Sequence, residues 1–373
     1  MKAAIAPEVD YSLVQTMRID SSEPRVPRDS MHLTLAQLQK LADDFDLGRV
    51  IKMDRPLTTQ CNTTDPFRTG RGTFLLRARH SEEYGARVEY LHALIDHLCD
   101  RGFPVPQVVR ARNGRSWTSW GERIVEIHKF VAHDPGIHRD WRRMNSAASV
   151  LGDLHHMLSE ATAGKTPVPP EMRNDVNPEQ CWTLLTEAEE SVEAMTGISE
   201  EILDETLAVL RHARSAVEPL LKNYSRIVGQ LPWMTVHGDY HFWNVLYRGD
   251  EIAAVVDYDF VQERERLFDI AYAMQTVVGH LRNVHASSGS GAAVPPEALS
   301  WSNVRLWLDH YDMTTHLPLS EIERRWLPKE IMRIFLVGVA TGVLQEDPTE
   351  TILKHGRELD LFLWIGAQET LFL

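Results

Sequence analysis

Cysteine is scarce: Cys61, Cys99 and Cys181 are the only three in 373 residues, far apart and odd in number. This excludes a disulfide framework and a cysteine-built zinc site, and it points to a reducing compartment. Long apolar runs are also missing. The best, Ile334 to Leu344, is interrupted by Gly338, Thr341 and Gly342 and is too short to cross a bilayer. Between Met1 and Tyr11 stand Glu8 and Asp10, where a secretory leader needs an apolar core. The sequence therefore reads as cytoplasmic, without a membrane partner. Positive charge is in deficit too, with 39 Lys and Arg against 53 Asp and Glu, a formal net charge of −14. Such a field repels phosphate backbones and argues against nucleic acid as a partner. It favours a cationic small molecule, or a divalent cation that admits a nucleotide. A surface that merely keeps the protein soluble is the plainer alternative.

What is present is the composition of a soluble globular chain, 43% hydrophobic and 25% charged, at a length that suits two lobes rather than one core. Residues 1–32 are polar, carry Pro24 and Pro27, and read as an arm. Residues 33–131 read as β-rich. A short helix carries Leu33, Leu35, Leu38 and Leu41, and strand-like stretches run Gly48 to Leu57, Thr63 to Thr69 and Thr73 to Arg79. A hairpin turn falls at Thr69-Gly70-Arg71-Gly72. The inserted helix carries Val88, Leu91, Leu94, Ile95 and Leu98 and ends at Gly102. A second hairpin, Val108 to Phe130, is expected to turn at Asn113-Gly114. Residues 132–373 read as helical, with helices over Trp141 to Leu158, Ser191 to Tyr224 and from Leu267 onward. One β-hairpin, Val236 to Asp257, and a flexible loop, Ser287-Ser288-Gly289-Ser290-Gly291, interrupt them. The expectation is an α+β chain with a small β-rich lobe, a larger helical lobe and a cleft between.

The chemistry concentrates in Val236-His237-Gly238-Asp239-Tyr240-His241-Phe242-Trp243-Asn244-Val245-Leu246-Tyr247, a turn at Arg248-Gly249-Asp250-Glu251, and Ile252-Ala253-Ala254-Val255-Val256-Asp257. A hairpin brings its ends together, so Asn244 and Asp257 should lie side by side. One amide oxygen and one carboxylate there make a hard oxygen site suited to Mg²⁺. Asp239, five residues before Asn244, would sit beside it, able to accept a proton from an attacking hydroxyl. Phosphoryl transfer needs such a set. Asp and Asn that only cap a turn are one alternative. His237, Asp239 and His241 as metal ligands of a hydrolase are another, though no second His/Asp cluster of ligand spacing follows.

His237-Gly238-Asp239-Tyr240-His241 through Asn244-Val245-Leu246, with Val256-Asp257, resembles the catalytic loop and metal-binding segment of the aminoglycoside phosphotransferase group. That group includes choline, homoserine and methylthioribose kinases and is related to protein kinases. Phe268-Asp269-Ile270-Ala271-Tyr272-Ala273 is similar to its following helix, where the aspartate is usually structural. The resemblance implies a protein-kinase-like two-lobed fold, Asp239 as catalytic base, and Asn244 and Asp257 as Mg²⁺ ligands. It further implies ATP or GTP as phosphoryl donor and a hydroxyl of a small polar molecule as acceptor. An aminoglycoside or similar antibiotic is the favoured acceptor, with homoserine, choline or a sugar as the alternative.

The β-rich lobe departs from the pattern. Thr59-Gln60-Cys61-Asn62-Thr63-Thr64 stands where a phosphate-covering turn belongs, yet has no glycine. Phe74-Leu75-Leu76-Arg77 resembles the strand bearing a nucleotide-binding lysine, with Arg77 in its place and Arg79 on the same face. Arginine keeps the charge and binds phosphate bidentately. Glu89 is the expected helix partner of that arginine, with Glu82 and Glu83 as competitors. Val125-Glu126-Ile127-His128-Lys129-Phe130 resembles the hinge that grips the base, which makes Glu126 and His128 nucleotide-site residues. These departures keep open a rival reading, a nucleotide-binding pseudokinase. His241, Asp259 and Glu263 are expected to face a cationic acceptor. Ala163-Gly164-Lys165-Thr166 is not a P-loop, since Ser159 stands where the first glycine belongs, and His155-His156 reads as packing.

Overall fold

The computed structural model describes residues 33–54, 63–79, 85–135, 140–161, 166–167, 176–287 and 295–373. The expected arm, most of the glycine-free turn, Glu82, Glu83 and most of the Ser287 to Gly291 loop lie outside the described residues.

Chain order runs α1 (Leu35–Asp44), β1 (Val50–Met53), β2 (Thr63–Thr69), β3 (Gly72–Arg79), α2 (Gly85–Asp100), β4 (Trp117–Trp120) and β5 (Arg123–Lys129). Next come α3 (Trp141–Glu160), α4 (Pro178–Glu193), α5 (Glu200–Leu221), α6 (Tyr224–Val228), β6 (Trp233–Val236), β7 (Val245–Arg248), β8 (Glu251–Val255) and β9 (Gln262–Glu265). The chain closes with α7 (Leu267–Ser287), α8 (Trp301–Thr314), α9 (Glu321–Thr341) and α10 (Pro348–Ala367).

The small lobe is an antiparallel sheet in the order β1-β2-β3-β5-β4. Thr34 starts α1 with a capping box, its Oγ1 accepting from the Gln37 amide while the Gln37 side chain accepts from the Thr34 amide. Leu38 and Leu41 of that helix cover one sheet face, packing on Phe67, Phe74, Leu76, Val125 and Ile127. Side chains alternate across a strand, so burying Phe74, Leu76 and Ala78 of β3 on this face sends Arg77 and Arg79 to the other. Opposite Arg77 in the β3–β5 register stands Glu126.

The second hairpin differs from expectation. It joins β4 to β5 and turns at Gly121-Glu122, with Trp120 facing Arg123 and Gly121 at φ 62°. Asn113-Gly114 makes its own tight turn, closed by the Gly114 amide on the Ala111 carbonyl. Both turns carry a glycine with positive φ; Val108 bridges His128 as the expected span requires, but the reversal falls at Gly121.

In the large lobe, α9 explains the longest apolar run: Ile331 through Thr341 are all buried, with neighbours on every side. No helix among the described residues is long and apolar enough to cross a membrane. The expected helix over Ser191 to Tyr224 is broken at Gly197 between α4 and α5. The apolar side of α2 (Leu91, Leu94, Ile95, Leu98) joins Met144, Leu151 and Leu154 of α3 in the main core rather than the core under the sheet. Two short ribbons, β6–β9 and β7–β8, lie among the helices and carry the segment richest in polar groups.

Candidate active site

Strand β6 delivers the chain into a turn that only glycine fits. Gly238 sits at φ 79°, and a Cβ there would lie 2.1 Å from the Phe260 carbonyl oxygen. Buried Asp269, at the start of α7, holds this turn: its Oδ2 accepts from the His237 amide at 2.7 Å and its Oδ1 from the Gly238 amide at 2.8 Å. His155 of α3 approaches Asp269 Oδ2 through Nε2 at 3.1 Å, and its Nδ1 lies 2.8 Å from the Tyr311 hydroxyl. Burial would raise the Asp269 carboxyl, but His155 foremost, together with the Gly238 amide, holds it below the usual range. His237 accepts from the Asp239 amide at Nδ1 (3.2 Å) and donates from Nε2 to the Val256 carbonyl (3.1 Å). Both bonds suit the neutral ring, and burial lowers its pKa accordingly.

Asp239 follows, half-buried, with its carboxylate Oδ2 and its backbone carbonyl both accepting from Asn244 Nδ2, at 3.0 and 2.9 Å. His241 Nε2 lies 3.5 Å from the same Oδ2. Val245 pairs with Val255, and the Val256 amide donates to the Asn244 carbonyl at 2.9 Å, so the β7–β8 ribbon brings Asn244 against the entry to Asp257. Asp257 has left-handed backbone, φ 66° and ψ 66°, a sparsely populated region for a non-glycine residue. Its side chain keeps 41% of its surface open.

The β3 arginines cross to this lobe. Arg77 Nη2 reaches Asp259 Oδ2 at 2.9 Å and Asp257 Oδ1 at 3.3 Å. Arg79, deeper, donates to Asp259 Oδ1 at 2.6 Å and to Glu126 Oε1 at 3.0 and 3.2 Å. Arg87 of α2, also buried, donates to the Asp259 and Val261 carbonyls at 2.7 and 2.6 Å. Burial would raise Asp259, but Arg77 and Arg79 overcome it and hold the carboxyl low. Asp257 goes the other way, raised by burial and by the Asp259 charge beside it.

Two expectations need correction. Glu89 faces outward on α2 and accepts from Trp117 Nε1 at 3.3 Å, while Arg77 pairs with Asp259 and Asp257. The α2 register turns Arg87, Val88 and Leu91 inward, which sends Glu89 to solvent. Asp259 is no acceptor contact, because its carboxylate is buried under two guanidiniums. Glu263 is exposed on β9 opposite Thr235, between the inward-turned Gln262 and Arg264.

Glu126 and His128 are buried together on β5. The Lys129 and Phe130 amides are taken by the Gln107 and Thr73 carbonyls, so neither grips a base. His241 lies between the Trp243 and Tyr272 rings, at 5.4 and 5.9 Å. The sequence reading missed His155 as the partner of Asp269. Its signal was a histidine on an apolar helix face (Leu151, Leu154, Leu158) and an aspartate inside an equally apolar stretch, two buried polar groups each needing a partner.

As for the donor set, Asn244 turns Nδ2 to the Asp239 carbonyl and carboxylate, which leaves Oδ1 as the atom that would face a metal. With the Asp257 carboxylate this is a pair of hard oxygens, and a divalent cation there would offset the burial and the Asp259 charge that raise Asp257. The residues fit Mg²⁺.

Residues 62–287 match the model of the phosphotransferase enzyme family. Among curated relatives, homoserine kinase of Acidiphilium cryptum is 24% identical over 238 residues, 64% of this chain and 68% of its own. Homoserine kinase of Methylobacillus flagellatus is 22% identical over 354 residues, 90% of this chain and 98% of its own. Among solved structures, spectinomycin phosphotransferase in complex with ADP and spectinomycin superposes with a TM-score of 0.57 at 11% identity, covering 90% of this chain and 98% of its own. A microcompartment-associated aminopropanol kinase does so with a TM-score of 0.56 at 15% identity, covering 90% and 100%. The family match spans strands β2 to β5 of the sheet, the Asp239 turn and the β7–β8 ribbon, so the chain belongs to the phosphotransferase enzyme family, a protein-kinase-like enzyme that phosphorylates a hydroxyl of a small molecule.

Proposed function

We propose that the chain transfers the terminal phosphoryl group of ATP, with Mg²⁺ held by Asn244 and Asp257, to the hydroxyl of a small amine-bearing molecule. The observation that carries this reading is the convergence of Asp239, Asn244 and Asp257 around one turn, with Arg77 reaching in from the sheet. A carboxylate has about four lone-pair positions, so Asp239 can serve Asn244 and still accept from an acceptor hydroxyl. That hydrogen bond aims the hydroxyl oxygen at the terminal phosphorus. As the new O–P bond forms and the bond to ADP breaks, the hydroxyl proton passes to Asp239; in a loose transition state it does so late. Bound at Asn244 and Asp257, the cation would neutralise charge building on the phosphates. Arg77, with its guanidinium at the Asp257 edge, adds bidentate contacts to the same oxygens.

The two curated relatives named above are homoserine kinases, which puts an amine-bearing metabolite ahead of an aminoglycoside as acceptor. The net charge of −14 supports a cationic group in either case. The test is nucleotide consumption with ATP or GTP and Mg²⁺ over homoserine, aminopropanol, choline and aminocyclitol antibiotics, with product mass as readout. Turnover and a phosphoryl mass gain on one amine-bearing alcohol are expected. Turnover only on neutral or anionic alcohols overturns the acceptor assignment, and none that responds to EDTA overturns the metal.

A further inference from the structure

In a two-lobed kinase fold, a cationic side chain on the third strand serves the phosphates only if something fixes its direction. A carboxylate from the inserted helix was expected to do so, and Glu89 does not. The carboxylate comes instead from the neighbouring strand. Glu126 stands across from Arg77 in register, its Oε1 taking two hydrogen bonds from Arg79 and lying 3.7 Å from Arg77 Nε. Its other oxygen, Oε2, turns to α2, where His92 Nε2 meets it at 2.6 Å. His128, two residues along β5 on the same face, sets its ring edge-on to His92 at 5.5 Å. His92, Glu126 and His128 are all buried.

These three residues have ligand atoms within 4.8 Å of one another, close enough for a metal ion. The surroundings argue otherwise. Any dication there would share Glu126 with Arg79 and face Arg77 among buried groups, where like charges interact most strongly. A neutral His92 that donates Nε2–H to Glu126 satisfies the carboxylate without adding charge.

We propose that His92 and Glu126 are positioning residues for the nucleotide phosphates. Glu126 fixes the β3 arginines and His92 ties that carboxylate to α2, so nucleotide affinity depends on α2 through a His–Glu hydrogen bond. The inference rests on the reading of Arg77 as a phosphate-binding residue. It gives α2 a role in the site that its outward-facing Glu89 cannot fill.

Steady-state kinetics on the full chain, varying ATP and acceptor separately, test it. His92→Phe keeps a ring but removes the donor; KM for ATP should rise roughly tenfold, the size of a lost charge-assisted hydrogen bond. KM for the acceptor should stay as in the wild type. His92→Gln, which returns an N–H donor, should recover most of the loss. Arg77→Ala is the control for the underlying reading and should raise KM for ATP on its own. If Arg77→Ala does so while His92→Phe keeps wild-type ATP kinetics and only melts earlier, His92 is a packing residue and the inference fails. If Arg77→Ala leaves KM for ATP unchanged, the phosphate reading of Arg77 fails and the inference with it. Stoichiometric Zn²⁺ binding to the wild type that is lost in His92→Phe would mark a metal site and overturn the positioning role.

Discussion

Arg79 and Arg77 lie two residues apart on one strand face, yet their replacement should damage different properties. Arg79 is 5% exposed and is bonded to Glu126 and Asp259, which are 1% and 3% exposed. Among the described residues, Arg77, Arg79 and Arg87 stand against Glu126, Asp257 and Asp259, three charges of each sign. Arg79→Ala removes one cation from the middle and leaves two carboxylates short of a donor where water cannot replace it. Breaking a buried pair from one side costs about 3–5 kcal/mol, against a total stability of roughly 5–15 kcal/mol for a folded domain. Urea unfolding should therefore show Arg79→Ala losing at least a fifth of the wild-type stability by this reckoning, whereas Arg77→Ala, which leaves Arg79 on both Asp259 and Glu126, loses less and mainly binds ATP more weakly. The pH dependence gives the sign. In the wild type burial would raise Glu126, but Arg79 foremost holds its pKa well below the usual value, so its contribution is present above about pH 4 and is lost as pH falls through the lowered pKa. Without Arg79 the largest force opposing burial is gone and the folded pKa of Glu126 moves up, although His92 and His128 still lower it. The gap between the two proteins should narrow as pH falls through the variant's folded pKa. Unfolding curves of Arg79→Ala that overlay the wild type, or a gap that widens on acidification, would refute the balanced-cluster argument.

Asp239→Asn should lower kcat by roughly 10²–10⁴-fold while ATP affinity and the melting midpoint stay near wild type; normal turnover would move the base elsewhere. Asp257→Ala should abolish most turnover with the fold intact, and raising Mg²⁺ should not restore it; isothermal titration with Mg²⁺–ATP checks the assignment by showing the weakened binding. Gly238→Ala should cost both turnover and stability. Left-handed backbone alone costs about 1–2 kcal/mol, and the added Cβ meets the Phe260 carbonyl at 2.1 Å; a thermal melt equal to wild type would show that the turn can relax. His155→Leu should lower kcat more than either KM, because it loosens Asp269 and through it the Gly238 turn, and His155→Gln should recover part of that loss.

The Asp239 turn and the β7–β8 ribbon could be read from the sequence because their chemistry is local. Asn244 and Asp257 are joined by one hairpin whose glycine turn and alternating residues announce it, and the pairing of Val245 with Val255 needs nothing from the rest of the chain. The network around the β3 arginines is the opposite case. Arg77 and Asp259 are 182 positions apart, and what joins them is the seating of one lobe on the other. Nothing in the spacing of Asp257 and Asp259 tells which is open and which is sealed under guanidinium groups. The helical pattern of α2 was clear, but an apolar stripe wide enough to cover Val88, Leu91 and Leu94 fits more than one rotation of the helix, and one rotation decides between Glu89 and His92. The hairpin turn was misplaced for a similar reason, since Asn113-Gly114 and Gly121-Glu122 both carry a left-handed glycine and only the pairing of Trp117–Trp120 with Arg123–Glu126 tells them apart.

The side on which α2 buries itself bears on how the molecule comes apart. Its leucines belong with α3, while β1 to β5 close over α1 in a cluster of their own. Cooperative opening follows packing more than chain order. Amide hydrogen exchange should accordingly sort the protein into two units, the sheet with α1 in the first and α2 with the large lobe in the second, although α2 is threaded between two strands of that sheet. The slowest amides of α2 should exchange with those of α3 and α9. The sheet should open first, swinging on its two connections to a helix that stays behind.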